Sequence, residues 1–109
     1  MGAQNAESFV RLYMVPGMQH CIGGPGPSSF GQLGTTTAKG SEHGVYDALE
    51  QWVEKGEAPG AIVATKYVDD NSAKGVRMTR PLCPYPQIAV YKGTGDSNDY
   101  TNFDCKTDR

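Results

Sequence analysis

The stretch Phe9-Val10-Arg11-Leu12-Tyr13-Met14-Val15, followed at once by Pro16-Gly17-Met18-Gln19-His20-Cys21-Ile22-Gly23-Gly24-Pro25-Gly26-Pro27, sets the fold class. The first seven residues are rich in β-branched and aromatic types, almost continuously apolar, and stop at a Pro-Gly turn signal. Such a run reads as a buried strand of a mostly parallel sheet. A single buried strand makes no sheet, so its neighbours must come from elsewhere. In the second part, six of the eleven residues from Gly17 to Pro27 are Gly or Pro. This is a loop built on backbone conformations that those two residues favour.

C-terminal to this loop, Ser28 to Ser41 stays polar and Gly-rich and reads as surface loop. Val45, Ala48, Leu49, Trp52 and Val53 then fall on one stripe at helical spacing. They predict one amphipathic helix over Val45 to Lys55, stopped by Gly56 with Pro59 beyond, and with Trp52 packed inward. Ala61 to Val68 reads as a strand, Asp69 to Ser72 as a turn, and Val76 to Arg80 as a hairpin partner. Pro81 to Pro86 is extended and Pro-stiffened, Ile88 to Tyr91 is a short apolar run, and Gly93 to Tyr100 is a polar loop. The expectation is an α/β, loop-rich chain without an internal domain boundary.

Composition narrows the function classes. The chain has 109 residues with 10 Lys plus Arg against 12 Asp plus Glu, a net charge of -2. That balance argues against a nucleic-acid or anionic-membrane surface. No apolar run approaches the roughly 20 residues of a transmembrane helix. The first seven residues lack the basic stretch and apolar core of a signal peptide. Leu, Ile, Val and Phe together supply 18 of 109 residues, while Gly and Pro supply 21. A core supply this thin fits a segment that borrows its core from something else.

Few residues can carry chemistry. His20 follows the apolar run in the Gly-rich loop, where a rigid strand aims side chains at the mouth of a sheet. An imidazole there can take a proton from a nucleophile and return it to a leaving group. His43, in Gly40-Ser41-Glu42-His43-Gly44, reads as a solvated loop residue. Cys21, Cys83 and Cys105 are an odd number, with no C-x-x-C pair, and His20, Cys21 and His43 match no zinc spacing. Cys21 could act as a nucleophile with His20 or His43 as base. Adjacent side chains on a strand-like backbone point opposite ways, however, so a structural disulfide through Cys21 is the better reading. Ser28 and Ser29 form no nucleophile elbow, and Gly23-Gly24-Pro25-Gly26 no phosphate loop.

The chain resembles the C-terminal region of the tannase and feruloyl esterase family. The likeness is carried by Val15 to Cys21 with Gly23 to Pro27, and by Trp52-Val53-Glu54-Lys55-Gly56-Glu57-Ala58-Pro59 with Ala64-Thr65-Lys66. It continues through Thr79-Arg80-Pro81-Leu82-Cys83-Pro84-Tyr85-Pro86, Tyr91-Lys92-Gly93 and Asn102-Phe103-Asp104-Cys105. Together, in order, these strings cover nearly the whole chain.

The resemblance implies an α/β-hydrolase fold with an inserted lid, secretion or a periplasmic location, and hydrolysis of aromatic-acid esters without cofactor or metal. It implies a Ser-Asp-His triad in which a Cys precedes the serine and another follows the histidine, the two forming a disulfide. On this chain the histidine is His20 and the following cysteine is Cys21, whose partner would lie in a missing N-terminal part of the same domain. It further implies that Cys83 pairs with Cys105. The nucleophile and the acid both belong upstream of His20, so this chain would supply only the base and be inactive alone. Two other readings stand beside it: a stand-alone, disulfide-stapled binding module without catalysis, and a small enzyme using Cys21 and His43.

Overall fold

The computed structural model describes residues 6–35 and 44–107. Its elements are α1 (Val45–Lys55), β1 (Ile62–Tyr67), β2 (Val76–Leu82), β3 (Ile88–Tyr91) and β4 (Phe103–Lys106), joined by short 3-10 turns. Helix α1 has the predicted bounds. Asp47 sits in its first turn and Lys55 in its last, each complementing the helix dipole. Gly56 ends it in the left-handed region at φ 70°, where its N–H reaches Trp52 O at 3.0 Å.

The strands form two antiparallel pairs. β1 pairs with β2 from Ile62↔Leu82 to Lys66↔Met78, with a bulge before Tyr67↔Val76. β3 pairs with β4 from Ile88↔Lys106 to Tyr91↔Phe103. The hairpin of β1 and β2 is therefore as predicted. β4 was not foreseen, because Phe-Asp-Cys-Lys carries no strand-like run of apolar residues. The turn between β1 and β2 is longer than a tight hairpin: two 3-10 turns, Val68–Asp70 and Ser72–Lys74, with Asp69 and Asp70 at positive φ.

The core is small. Ala48 of α1 meets Ile62, Ala64 and Leu82, with Tyr13, Val15, Phe30 and Val45 packed around them. All six residues of β1 are buried. The Cys83–Cys105 disulfide, with Cα atoms 5.6 Å apart, fastens β4 to the end of β2. The Arg80 guanidinium lies 4.5 Å from the Phe103 ring centroid and adds a second tie between the two pairs. Tyr100 N–H donates to Thr79 Oγ1 at 2.9 Å and makes a third.

Two expectations are corrected. Phe9 to Val15 is not a buried strand of a parallel sheet within this chain: Phe9, Val10, Leu12 and Met14 are all about half exposed or more. Its pairing is one antiparallel bridge, Tyr13↔Pro84, with Tyr85 N–H donating to Leu12 O at 2.7 Å. Pro84 has no N–H, so the ladder cannot extend along that edge. Nor is Ser28-Ser29 surface loop. Ser28 is buried, and Ser29 and Thr65 exchange both backbone hydrogen bonds, at 2.8 and 3.0 Å, on the edge of β1 opposite β2. The backbone supplies this pairing, so side-chain polarity gave no sign of it.

Candidate active site

His20 sits at the tip of a loop whose base is stitched by backbone. Gln19 N–H donates to Gly23 O and Gly26 N–H to Gly17 O, each at 3.0 Å. His20, Cys21 and Ile22 therefore stand at the end of a narrow double-stranded stem. Gly24 is at φ 101°, and a Cβ there would overlap Gly17 O and come within 2.9 Å of Gln19 N. Only glycine lets the two sides of the stem approach this closely.

Two side chains pin the stem to the rest of the fold. Gln32 donates through Nε2 to Ser28 O and, at 3.4 Å, to Cys21 O; its Oε1 accepts from Phe30 N–H and Thr35 Oγ1, each at 3.0 Å. Lys66, projecting from β1, donates to Gly24 O at 2.7 Å and to Asp70 Oδ1 at 2.6 Å. Neither role was foreseen from the sequence. Gln32 left no signal in the sequence. Lys66 left one: a charge inside the largely apolar, β-branched run of β1.

The imidazole itself is exposed, as is the Cys21 thiol, which is free. The two side chains lie together, with Cys21 Sγ 3.3 Å from His20 Nδ1 and 3.9 Å from Nε2. The expectation that they point apart is thus overturned. It assumed an extended backbone, and Cys21 is at φ 70°. A cleft of about 320 Å³ opens beside the tip, lined by Ile22, Gly23, Ser28, Ser29, Tyr67 and Asp70 among others. Burial pushes the Tyr67 phenol above its ordinary range, so it stays neutral there. His43 lies outside the described residues. Cys83 and Cys105 are joined to each other at the far end of β2. Among the described residues no group of three or more His, Cys, Asp or Glu could hold a metal ion.

Chemically, this is an imidazole presented to the outside on a braced tip, ready to exchange protons with a group brought to it. The sequence profile described as tannase and feruloyl esterase matches residues 1–106, and so takes in this loop, its two braces and the disulfide. The chain belongs to the tannase and feruloyl esterase family.

The chain is also similar to individual esterases and hydrolases. An esterase of Xanthomonas campestris is 54% identical over 101 residues, which are 91% of this chain and 18% of that protein. The mono(2-hydroxyethyl) terephthalate hydrolase of Piscinibacter sakaiensis is 47% identical over 100 residues, 92% of this chain and 14% of that protein. Among solved structures, an esterase from Aspergillus oryzae superposes with a TM-score of 0.85 at 37% identity, over 96% of this chain and 21% of that one. Feruloyl esterase B from the same fungus gives 0.82 at 32% identity, over 97% and 20%. The chain thus spans about a fifth or less of the length of these relatives.

Proposed function

We propose that this chain is the His-bearing portion of a carboxylic ester hydrolase that cleaves esters of aromatic acids. The observation that supports this most is the family match across residues 1–106, which includes the His20 loop. The names of the relatives point the same way: a feruloyl esterase and a terephthalate monoester hydrolase both act on esters of aromatic carboxylic acids.

In this reading residues 1–109 form one portion of an α/β-hydrolase domain, without an internal boundary. The nucleophilic serine and the aspartate come from the remainder of that domain. His20 removes the serine proton as the hydroxyl oxygen attacks the ester carbonyl. The same proton goes to the departing alcohol as the tetrahedral intermediate collapses. His20 then deprotonates water, whose oxygen attacks the acyl carbonyl, and passes that proton to the serine oxygen as the acid is released. The aspartate holds the imidazole in the productive tautomer. Cys21 joins a cysteine beside the serine, tying base and nucleophile together. The remainder of the domain also covers the exposed edge of residues 9–15. By itself the chain turns over no ester.

The Cys83–Cys105 disulfide supports a secreted or periplasmic protein, since such bonds persist in oxidising compartments. No described helix is long and apolar enough to cross a membrane.

The experiment is to read the gene upstream of the Met1 codon. The expected result is an open frame encoding a Cys-Ser pair and, after it, an aspartate. An in-frame stop and a ribosome-binding site directly before Met1 would overturn the proposal, because His20 would then have no nucleophile in its own polypeptide.

A further inference from the structure

We propose that Lys66 is a positioning residue for His20: its buried ammonium grips the Gly24 peptide and so holds the loop tip that presents the imidazole. The inference rests on the esterase reading only for what the imidazole is used for. Lys66 is 8% exposed, in a strand whose every residue is buried. An ammonium taken out of water at such a site is costly unless it is fully paired. Its two described acceptors are Gly24 O at 2.7 Å and Asp70 Oδ1 at 2.6 Å.

The two contacts differ in kind. The Asp70 side chain is 54% exposed, four residues along the same chain segment, and an exposed lysine could satisfy it equally well. Gly24 lies 42 residues away in sequence, and reaching it is what requires the ammonium to be inside. The grip falls at a sensitive point. Gly24 sits between the two backbone rungs of the stem, Gln19 to Gly23 and Gly26 to Gly17. It also packs against the Gln19 backbone so tightly that a Cβ would not fit. A displacement of Gly24 therefore displaces Gln19 and, with it, His20. A methionine would fill the space of Lys66 and keep the strand, but would leave Gly24 O without its donor.

The test uses the 109-residue chain and nuclear magnetic resonance. In the wild type, the Lys66 ammonium protons exchange slowly and show cross-peaks to Gly24 Hα. In Lys66→Met, the Gln19 and Gly26 amides exchange about tenfold faster or more and the His20 imidazole signals shift, while the amides pairing β1 with β2 keep their protection. Lys66→Arg, which retains a cationic donor, brings the His20 signals back towards wild type. Asp70→Asn leaves them unchanged. The proposal is overturned if the wild type lacks the Lys66–Gly24 contact, a measurement that needs no variant to fold. It is also overturned if Lys66→Met leaves the stem amides and the His20 signals as they were, or if Lys66→Arg recovers neither. None of these readouts involves an ester. A clamped loop in a protein that cleaves no ester would remove the esterase reading and leave the clamp, and ester cleavage with an unclamped loop would do the reverse.

Discussion

Cys21 Sγ rests 3.3 Å from His20 Nδ1, so two residues adjacent in sequence present their side chains to the same place. The turn that brings them together is the positive φ of Cys21, a conformation non-glycine residues adopt uncommonly. Any covalent partner of Cys21 would therefore lie directly against the imidazole. This geometry suits a disulfide that locates a base relative to a second chain segment, which is the role proposed for Cys21.

The thiol is accessible in the chain as it stands, since Cys21 is exposed and free. A thiol-reactive disulfide reagent should titrate one group per folded chain without denaturant, and Cys21→Ser should abolish that reaction. The same substitution should change stability by no more than about 0.5 kcal/mol, as for other surface sites away from packing. A folded chain that gives no reaction until denatured would contradict the placement of Cys21.

The Cys83–Cys105 bond closes a sequence separation of 22 residues and fastens β3 and β4 to the β1–β2 hairpin. The chain-entropy model gives about 3 kcal/mol for a loop of this size. Replacing both cysteines by alanine should lower the unfolding free energy by about 2–4 kcal/mol, measured by urea titration. The amides of β3 and β4 should lose hydrogen-exchange protection before those of β1. Equal loss across both pairs would show that the bond is not their main connection.

Tyr13 anchors the N-terminal segment through its hydroxyl, which donates to Gly60 O at 2.6 Å and to Pro59 O at 3.3 Å. Burial holds its phenol above the ordinary range, against a smaller downward pull from the Arg11 guanidinium. Folding thus favours the protonated form. Its contribution is complete below the ordinary tyrosine value of about 10 and is lost as pH rises through the higher folded value. Tyr67 is shifted the same way by burial. Unfolding followed from pH 8 to about pH 11 should show stability falling at the alkaline end. Tyr13→Phe should shallow that fall and cost about 0.5–1.5 kcal/mol at neutral pH. An unchanged alkaline slope in the variant would show that Tyr13 does not carry this loss of stability.

Two glycines at positive φ separate backbone strain from close packing. A Cβ on Gly56 would meet nothing within 4 Å, whereas one on Gly24 would overlap Gly17 O and crowd Gln19 N. Gly56→Ala should cost about 1 kcal/mol, the conformational penalty alone. Gly24→Ala should cost more than that and should selectively expose the amides of the His20 stem, read by hydrogen exchange. Equal costs with an undisturbed stem would contradict the packing described.

What the sequence made legible follows from where the signal resides. Val45 to Lys55 could be read to the residue because an amphipathic stripe and a terminal glycine are both local. The β1–β2 hairpin was legible for the same reason. Phe9 to Val15 reads as a buried strand, yet Phe9 and Val10 close a turn on Ala6 O and the pairing of the run is one bridge at Tyr13, because hydropathy does not report which neighbours a run meets. β4 was missed because its place is fixed by Cys105 and by pairing with β3 rather than by its own composition. His20 and Cys21 were singled out as residues. Their mutual contact was not, since it turns on one backbone angle. Lys66 acts through a backbone carbonyl 42 residues away and Gln32 through nearby loop carbonyls, and neither relationship leaves a side-chain spacing to find.

His20 is proposed here as the base of an ester-cleaving site completed by groups outside this chain. The decisive measurement joins this chain to the remainder of a relative. Its residues 6–106 replace the matching segment of the terephthalate monoester hydrolase from Piscinibacter sakaiensis, and ester hydrolysis is followed in the hybrid and in its His20→Ala variant. Turnover by the hybrid is expected, with a loss of kcat of about 10²–10⁴-fold or more in the variant and the fold unchanged. Turnover that survives His20→Ala undiminished, or a folded hybrid that is inert with His20 in place, would contradict it.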